Sequence, residues 1–392
     1  MLFKIRINGS MKSVTINNRK AIKVNILSLG RFHVCDLARE LDKNGFDVKF
    51  YSFVPTQRTE KFGLPRRCSK SIIGIMAPFL LLERKIFKHS QWIRRVRTVI
   101  QDYVTGIYMR RCDVCIAMSG SFLYSLKRAK SGGAIIFLER GSKHILEQKK
   151  ILDAFLPVNK VSNKYNTAIT RELSGYEIAD YIAIPSEHVK RSFAVYHYPM
   201  EKLFLNPYGV NLSMFHPMKG AEKKYDVIMV GGWSYRKGCD LIIESLRRMS
   251  LQFLHVGSIG DLSFPAESNF THIDSVDESE LSKYYNMAKI FLFPSREDGF
   301  GMVLSQAMAC NLPIVASPDC GGPDLKRMVD DPEYITIIKD YTIESICTAV
   351  QTALANYQKL ANSIYAGKAI EDLSWDAYGR RYAAFISKKI TR

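Results

Sequence analysis

The stretch FLFPSREDGFGMVLSQAMACNLPIVAS, residues 291–317, joins two apolar runs through an acidic pair, a glycine loop and a helical segment. The first apolar run predicts a buried strand, Met302–Cys310 predicts a helix, and Pro313–Ala316 predicts a second strand. Between the first strand and the helix stand Glu297 and Asp298, followed by Gly-Phe-Gly. This order is typical of open α/β sheets, in which ligands bind at the carboxyl ends of the strands.

The same alternation of strands and helices runs through the rest of the 392-residue chain. IKVNILSL, residues 22–29, predicts a parallel strand covered on both faces, and an amphipathic helix and a further strand follow it. A second alternating series begins after NPYGVNLSMFHP, residues 206–217, whose turn residues indicate an interdomain connection. The sequence therefore predicts an α/β protein with two Rossmann-like, doubly wound domains that face each other across a cleft.

The predicted domain boundaries follow from this connection. We expect an N-terminal domain over residues 1–205 and a C-terminal domain over residues 206–375. SWDAYGRRYAAFISKKI predicts a final helix, and we expect residues 376–392 to pack back on the N-terminal domain.

The net charge of +18 is unevenly distributed along the chain. Residues 1–200 hold 35 Lys and Arg against 15 Asp and Glu, whereas residues 201–392 hold 21 against 23. This asymmetry indicates an anionic partner for the first half: a nucleic acid, an acidic membrane or a phosphorylated ligand. No recognition helix or RNP-type aromatic motif is present, which argues against nucleic acid.

The cysteine spacing does not indicate a zinc site, and the N-terminal residues do not resemble a signal peptide. Of eight cysteines, Cys112 and Cys115 make the one C-x-x-C pair, which has no second pair or nearby histidine. We interpret them as core residues rather than zinc ligands. The first twenty residues lack the apolar segment of a signal peptide, so we expect a cytoplasmic protein.

Two glycine-containing loops follow predicted strands. Gly30 lies between the first strand and the first helix, where a backbone amide can approach a phosphate. GGWSYRKGCD, residues 231–240, places Arg236 and Lys237 just before a helix. Cations there oppose the helix dipole, so we expect an anion to compensate them, the alternative being a solvated pair.

Several segments together resemble the retaining glycosyltransferases of family 4, which have the two-domain GT-B fold. PSREDGFGMVLSQAMACNLPIVAS is similar to the family pattern P-S-x-x-E-G-F-G with a second Glu eight residues after the first. NPYGVNLSMFHP, VGGWSYRKGCDLIIESL and LSKYYNMAKIFLFPS resemble three further family segments in the same order. The resemblance covers nearly all of the second half and, more loosely, the opening βαβ unit.

The resemblance implies a hexosyltransferase-type enzyme (EC 2.4). It would move a sugar from a UDP- or GDP-sugar, with retention, to a glycan or lipid-linked acceptor, in cell-surface polysaccharide or lipopolysaccharide synthesis. The leaving phosphate would act as the base, so no protein nucleophile is named. The site residues that the resemblance and the loop chemistry imply are, for catalysis, Asp298, Glu297, Lys237, Arg236 and His144, and, for donor binding, Gly30, Gly231, Lys237, Gly299, Phe300, Gly301, Met302, Val303 and Gln306.

Three departures from the family pattern concern these roles. Asp298 stands at the position of the first Glu, and Gln306 stands at the position of the second. Gly232 replaces a common Arg, so Arg236 is expected to supply that charge. Gln306 can still bind ribose through its amide oxygen, and either Glu297 or Asp298 can take the acidic role.

The loop FLERGSKHILEQ, residues 137–148, follows a predicted strand of the first domain and therefore faces the cleft. Arg140, Ser142 and His144 are candidates for contacting a sugar. His33, near the start of the first helix, is a further candidate of the same kind. The alternative for His144 is a helix-start residue with a local hydrogen bond. No Asp-x-Asp occurs in the sequence, so we expect no metal and no cofactor beyond the nucleotide-sugar substrate.

The sequence is compatible with other functions. The sequence also permits a non-catalytic nucleotide-sugar-binding protein or a nucleotide-sugar 2-epimerase, which shares the GT-B architecture. The basic run over residues 61–97, which encloses an apolar segment, predicts docking on an anionic membrane at the inner face of the plasma membrane. The alternatives are an ordinary core helix with solvated ends and steering of a soluble anionic acceptor.

Overall fold

A computed structural model describes residues 2–7, 10–15, 21–76, 91–155, 164–360 and 364–390. Two short strands at the start, β1 (Leu2–Ile7) and β2 (Ser10–Thr15), pair antiparallel with each other. All other described strands belong to two parallel sheets.

The first sheet has seven parallel strands in the order β5-β4-β3-β6-β7-β8-β9. Its strands are β3 (Lys23–Ser28), β4 (Asp47–Ser52), β5 (Ser69–Ser71), β6 (Val114–Met118), β7 (Ile135–Glu139), β8 (Tyr181–Ile184) and β9 (Leu203–Leu205). The interior strand β3 is almost fully buried, because helices cover both faces of the sheet.

The second sheet has six parallel strands in the order β12-β11-β10-β13-β14-β15. Its strands are β10 (Tyr225–Val230), β11 (Phe253–Val256), β12 (Phe270–Ile273), β13 (Ala288–Phe293), β14 (Ile314–Ala316) and β15 (Ile335–Ile337). Two parallel sheets, each with connecting helices, confirm the predicted pair of Rossmann-like domains.

Helices connect the strands in the alternating pattern that the sequence predicts. In the first half they are α1 (Phe32–Lys43), α2 (Thr56–Glu60), α3 (Gln91–Tyr108), α4 (Leu123–Ser131), α5 (Ile145–Phe155), α6 (Lys164–Ile178) and α7 (Glu187–Val195). In the second half they are α8 (Cys239–Met249), α9 (Glu278–Asn286), α10 (Met302–Ala309), α11 (Gly322–Met328), α12 (Ile343–Lys359), α13 (Ala369–Asp372) and α14 (Trp375–Ile390).

The final helix, α14, follows the second sheet in sequence but packs on elements of the first. Gly379 lies against α1, where a Cβ atom would stand 2.2 Å from Cβ of Glu40. Tyr382 is fully buried, and its ring lies 5.7 Å from that of Phe137 on β7 and 5.2 Å from that of Phe204 on β9. The helix therefore links the chain's end to the first sheet.

The cysteines are free thiols, and Cys115 lies fully buried on β6 while Cys112 before it is half-buried. Among the residues that the structure describes, no helix is long and apolar enough to cross a membrane.

Candidate functional site

The predicted site residues of the second domain lie on two loops at one edge of its sheet. Strands β10 and β13 are hydrogen-bonded neighbours, and both run toward this edge. Residues 231–238 follow β10 and residues 294–301 follow β13. The loops touch at Gly238, which has φ +72° and where a Cβ atom would stand 2.2 Å from the carbonyl oxygen of Pro294. Only glycine suits this position.

Two consecutive cation–acid pairs join the loops. Lys237 Nζ pairs with Oδ2 of Asp298. Arg236 Nη1 donates to the carbonyl oxygen of Glu297 at 2.9 Å and lies 3.3 Å from its Oε2. In the structure, the anions that compensate these cations are the protein's own acids, Glu297 and Asp298. A ligand diphosphate would have to share or replace these partners.

The Asp298 carboxyl is held in its ionised form. Burial raises its pKa, but Lys237 and the charge of Arg236 outweigh burial, so the pKa lies below the usual value. Its Oδ1 accepts a hydrogen bond from the backbone N–H of Phe300 at 3.1 Å. The side chain is 19% exposed, so it can also meet a ligand.

Glu297 has a different environment from its neighbour. It is fully buried, and its Oε2 accepts from Nε2 of Gln148 in the first domain at 3.1 Å. Its Oε1 has no hydrogen-bond partner among the described residues. Since the sequence left the acidic role open between the two residues, exposure favours Asp298 for ligand contact and Glu297 for joining the domains.

The glycine loop has backbone geometry that requires glycine. Gly301 precedes α10 with φ +76°, and a Cβ atom there would stand 2.9 Å from the ring of Phe293. At Gly299, a Cβ atom would stand 1.9 Å from the carbonyl oxygen of Gly141. A loop of the first domain therefore passes directly over the glycine loop. Met302 begins the helix with an exposed side chain.

Gln306 and Val303 lie half-buried on α10. The Oε1 atom of Gln306 accepts from the hydroxyl of Tyr285 at 3.0 Å, and the same hydroxyl lies 3.3 Å from the carbonyl oxygen of Val303. The amide oxygen that the sequence assigned to ribose is thus already engaged inside the protein, although a carbonyl oxygen can accept a second hydrogen bond.

The first-domain candidates are mostly enclosed by protein. His144 is 4% exposed, its backbone N–H donates to Ser192 Oγ at 2.8 Å, and its ring stacks on Tyr196 at 4.4 Å. Burial, and then the charge of Arg140, lowers the pKa of His144 to about 4. This packing favours the structural alternative for His144, and its contact with a sugar stays a prediction.

Arg140 does not point freely into the cleft. Its guanidinium binds the carboxylate of Glu172 at 2.9 Å, the carbonyl oxygen of Lys143 at 2.7 Å and Oε1 of Gln148 at 2.7 Å. Arg140 therefore shapes the loop that covers Gly299. The half-buried Ser142 lies on the same loop.

His33 and Gly30, the two candidates near the start of the first domain, have different surroundings. His33 Nε2 lies 2.9 Å from Oε2 of the buried Glu139, and its ring packs at a tilt of 39° against that of Tyr208, with the ring centres 4.3 Å apart. Gly30 precedes Arg31, whose Nη2 forms a 2.8 Å ion pair with Glu278 of the second domain. The Gly30 loop therefore lies at the junction of the two domains, and its contact with a phosphate stays a prediction.

Sequence reasoning missed the residues that hold the two domains together at this site. Lys143 Nζ lies 2.5 Å from Oδ1 of Asp319, and the hydroxyl of Tyr341 donates to Oδ2 of the same carboxylate at 2.7 Å. Ser186 and His188, at the start of α7, contact backbone carbonyls of the glycine loop. The sequence could have indicated Ser186 and His188 by their position, because α7 begins at the carboxyl end of β8, where ligands and loops meet in such sheets.

The described residues contain no group of three or more His, Cys, Asp or Glu side chains that could hold a metal ion. The site brings together cationic side chains, carboxylates and the backbone amides at the start of α10. Such a set can bind a diphosphate and a sugar and can stabilise a leaving phosphate.

Comparison of the sequence with known proteins finds a family match within the second domain. Residues 215–370 match the family model described as Glycosyl transferases group 1. The chain is 25% identical over 255 residues to "Probable sucrose-phosphate synthase" of Thermosipho melanesiensis, and the match covers 58% of each chain. It is 27% identical over 243 residues to the GDP-mannose-dependent alpha-(1-6)-phosphatidylinositol monomannoside mannosyltransferase of Mycolicibacterium smegmatis, covering 53% of this chain and 62% of that one. The matches thus span only about three fifths of these relatives.

Solved structures resemble the whole chain. Sucrose-phosphate synthase from Thermosynechococcus elongatus superposes with a TM-score of 0.65 at 15% identity, over 94% of this chain and 99% of that one. Anabaena HepE, solved in complex with UDP and glucose, gives a TM-score of 0.63 at 13% identity, over 94% and 100% of the two chains. The chain therefore has the GT-B fold, and its residues 215–370 are similar to the Glycosyl transferases group 1 family.

Proposed function

We propose that the protein is a glycosyltransferase of the EC 2.4 class that uses a nucleotide-diphosphate sugar. The observation that carries the proposal is the paired arrangement of Arg236 and Lys237 with Glu297 and Asp298, beside the start of α10. Cations and helix-start amides at one sheet edge are the groups that a departing nucleotide diphosphate needs. The group 1 domain and the names of the curated relatives support the same class.

The proposed reaction proceeds with retention at the sugar. The bond between the anomeric carbon and the diphosphate oxygen breaks, and a hydroxyl of the acceptor forms a new bond on the same face. The proton of that hydroxyl passes to the leaving phosphate oxygen. Lys237 and Arg236 would neutralise the charge that develops on this phosphate, and Asp298 would orient the sugar hydroxyls.

We favour UDP over GDP as the nucleotide. HepE, which shares the fold, was solved with UDP and glucose and also with UDP-glucose. The mannosyltransferase relative is named as dependent on GDP-mannose, so both nucleotides belong in the experiment.

Nucleotide release and product stereochemistry test the proposal. The purified protein is incubated with UDP-glucose, UDP-N-acetylglucosamine or GDP-mannose and a panel of glycan and lipid-linked acceptors. Acceptor-dependent release of UDP or GDP, with a product that keeps the anomeric configuration of the donor, is expected. Binding of a nucleotide sugar without turnover would instead favour a non-catalytic binding protein. Conversion of the free nucleotide sugar to its C2 epimer would favour a 2-epimerase.

We further propose that an anionic membrane presents the acceptor to the first domain, in cell-surface polysaccharide or lipopolysaccharide synthesis at the cytoplasmic face of the plasma membrane. Helix α3 exposes Val99, Tyr103 and Ile107 at a spacing of four residues, so they share one face. Tyr108 and Tyr124 extend this apolar surface, and the rings of Tyr103 and Tyr124 lie 4.8 Å apart. Tyrosine is favoured at the membrane interface.

Charge supports a membrane as the partner of this surface. The first 200 residues carry a net charge of +20, from 35 basic and 15 acidic residues. Each cation near an acidic leaflet contributes about 1 kcal/mol of binding energy. The sequence predicted membrane docking from the basic and apolar run over residues 61–97. Within this run, residues 77–90 lie outside the described residues.

Liposome sedimentation tests this proposal. We expect binding to vesicles that contain phosphatidylglycerol, a decrease with added salt, and weaker binding for the double variant Val99→Ser, Tyr103→Ser. Ile364→Ser is the matched control, because this exposed residue lies in the second half of the chain. Absence of binding at low salt, or equal loss in the control, would contradict membrane docking.

A further inference from the structure

Two first-domain side chains hold consecutive carbonyl groups of the glycine loop. The Ser186 hydroxyl donates to the carbonyl oxygen of Gly299 at 2.5 Å, and His188 Nε2 lies 2.9 Å from the carbonyl oxygen of Asp298. Both side chains are almost fully buried. Because a carbonyl oxygen can only accept, both hydrogen atoms come from the first domain.

The hydrogen on His188 has a defined position. Burial, and then the charge of Lys143, lowers the pKa of His188 to about 4, against smaller opposite effects of Asp319 and Asp298. Near neutral pH the imidazole therefore carries one N–H, and the Asp298 carbonyl places it on Nε2. The Nδ1 atom lies 3.0 Å from Ser186 Oγ, whose single hydrogen is directed at the Gly299 carbonyl, so each side chain donates to its own carbonyl group.

These contacts determine the direction of the neighbouring N–H groups. A peptide group is planar and trans, so its C=O and N–H point in opposite directions. When the carbonyl of Gly299 faces the first domain, the N–H of Phe300 must face away from it. That N–H donates to Oδ1 of Asp298 at 3.1 Å, and Oδ2 of the same carboxylate pairs with Lys237.

We infer that Ser186 and His188 are positioning residues that orient the Asp298 carboxylate from the opposite domain. The carboxylate would adopt its working direction only while the two domains are in contact at this loop. This inference rests on the proposed function for its effect on turnover, but the contact itself does not.

Two substitutions at His188 separate hydrogen bonding from general packing. Gln carries an N–H at nearly the same reach as Nε2, whereas Asn is too short to reach the Asp298 carbonyl. In hydrogen–deuterium exchange of the full-length protein, we expect the peptide containing residues 298–302 to exchange at least tenfold faster in His188→Asn. In His188→Gln it should stay within threefold of the unmodified protein.

Turnover should follow the same order. We expect kcat to fall at least tenfold in His188→Asn and to be largely restored in His188→Gln, with the Kd for UDP changed less than threefold in both. Ser186→Ala should also speed exchange in residues 298–302, although it removes the N-cap of α7 as well. Thr342→Ala is its control, because Thr342 caps α12 in the second domain without touching this loop.

The exchange results test the positioning role of Ser186 and His188, whereas the activity results test the proposed function. Unchanged exchange of residues 298–302 in both His188→Asn and Ser186→Ala would overturn the inference, as would equal acceleration in His188→Gln and His188→Asn. If the unmodified protein transfers no sugar, the proposed function fails, and the exchange data still decide whether the first domain positions the loop.

Discussion

Lys237 combines a structural contact with a proposed role toward the diphosphate. We expect Lys237→Ala to lower kcat at least a hundredfold, the usual effect of removing one group that stabilises a developing anion. It should also destabilise the protein by about 1–3 kcal/mol, because Asp298 keeps a largely buried charge without its partner. Steady-state kinetics and urea unfolding measure the two effects.

Lys289→Ala is the matched control for Lys237→Ala. Lys289 on β13 pairs with Asp226 on β10 at 2.8 Å, and its side chain is 38% exposed. This pair joins the two strands near their amino ends, whereas Lys237 and Asp298 join the loops that follow their carboxyl ends. It should cost no more than about 1 kcal/mol and leave kcat unchanged. Turnover of Lys237→Ala equal to that of this control would place the diphosphate elsewhere.

Gln306 is expected to contact the nucleotide through an oxygen that Tyr285 already uses. Gln306→Glu should preserve or strengthen nucleotide binding, because the carboxylate provides more acceptor positions. Gln306→Ala should weaken it by about 1–3 kcal/mol, the cost of an unsatisfied partner in a buried site. Calorimetry with UDP checks both values, and Tyr285→Phe controls for the internal hydrogen bond. Equal affinity of the Glu and Ala variants would exclude Gln306 from the nucleotide site.

Residue types were easier to predict than their partners. The acids, the cations and the glycine loop were all recognised from strand-end positions. Their mutual pairing was missed because it depends on β10 and β13 being neighbours, although two strands and two α-helices lie between them in sequence. The hydrogen bonds of Ser186 and His188 depend on how the domains meet, which local sequence patterns do not encode.

Among the elements, α14 shows how one small residue sets a helix contact. A Cβ atom at Gly379 would stand 2.2 Å from Cβ of Glu40 on α1, so Gly379→Ala must displace one helix. Alanine improves helix propensity by about 1 kcal/mol, but overpacking typically costs about 1–3 kcal/mol. We therefore expect a net loss of stability, measured by urea unfolding.

Gly74→Ala is the control for Gly379→Ala. Residues 73–76 are helical, and no atom of the described residues stands within 4 Å of a Cβ atom at Gly74. This change should be neutral or slightly stabilising. If Gly379→Ala were as stable as the control, α14 would not pack tightly on α1 in solution.

Periodicity placed several elements within about two residues of their observed bounds: the helix predicted over Met302–Cys310, for example, is observed over Met302–Ala309. The strand before the acidic loop was expected to be buried, and Ala288–Phe293 is almost fully enclosed. Such elements are predictable because burial on both sheet faces demands continuous apolar sequence. The hydrophobic spacing of α14 indicated a helix but carried no information on the depth of its contact at Gly379.

Across the whole molecule, three buried histidines make stability sensitive to acid. Burial is the main cause that lowers the pKa of His144, His188 and His255 to about 4, from an ordinary value of 6.5. Between these values the unfolded chain binds more protons than the folded protein. The stabilisation is therefore complete above pH 6.5 and is lost as pH falls toward 4, by on the order of 3 kcal/mol per histidine.

Urea unfolding from pH 7.5 to 4.5 tests this dependence. Most carboxylates stay ionised in this range, so the histidines dominate the slope. We expect the free energy of unfolding to decrease steadily below pH 6.5, and the triple variant His144→Gln, His188→Gln, His255→Gln to show a flatter dependence whatever its stability at pH 7.5. His216→Gln, at an exposed position, should keep the original slope. A triple variant as acid-sensitive as the unmodified protein would show that these imidazoles are not held neutral by folding, and burial would then not explain their environment.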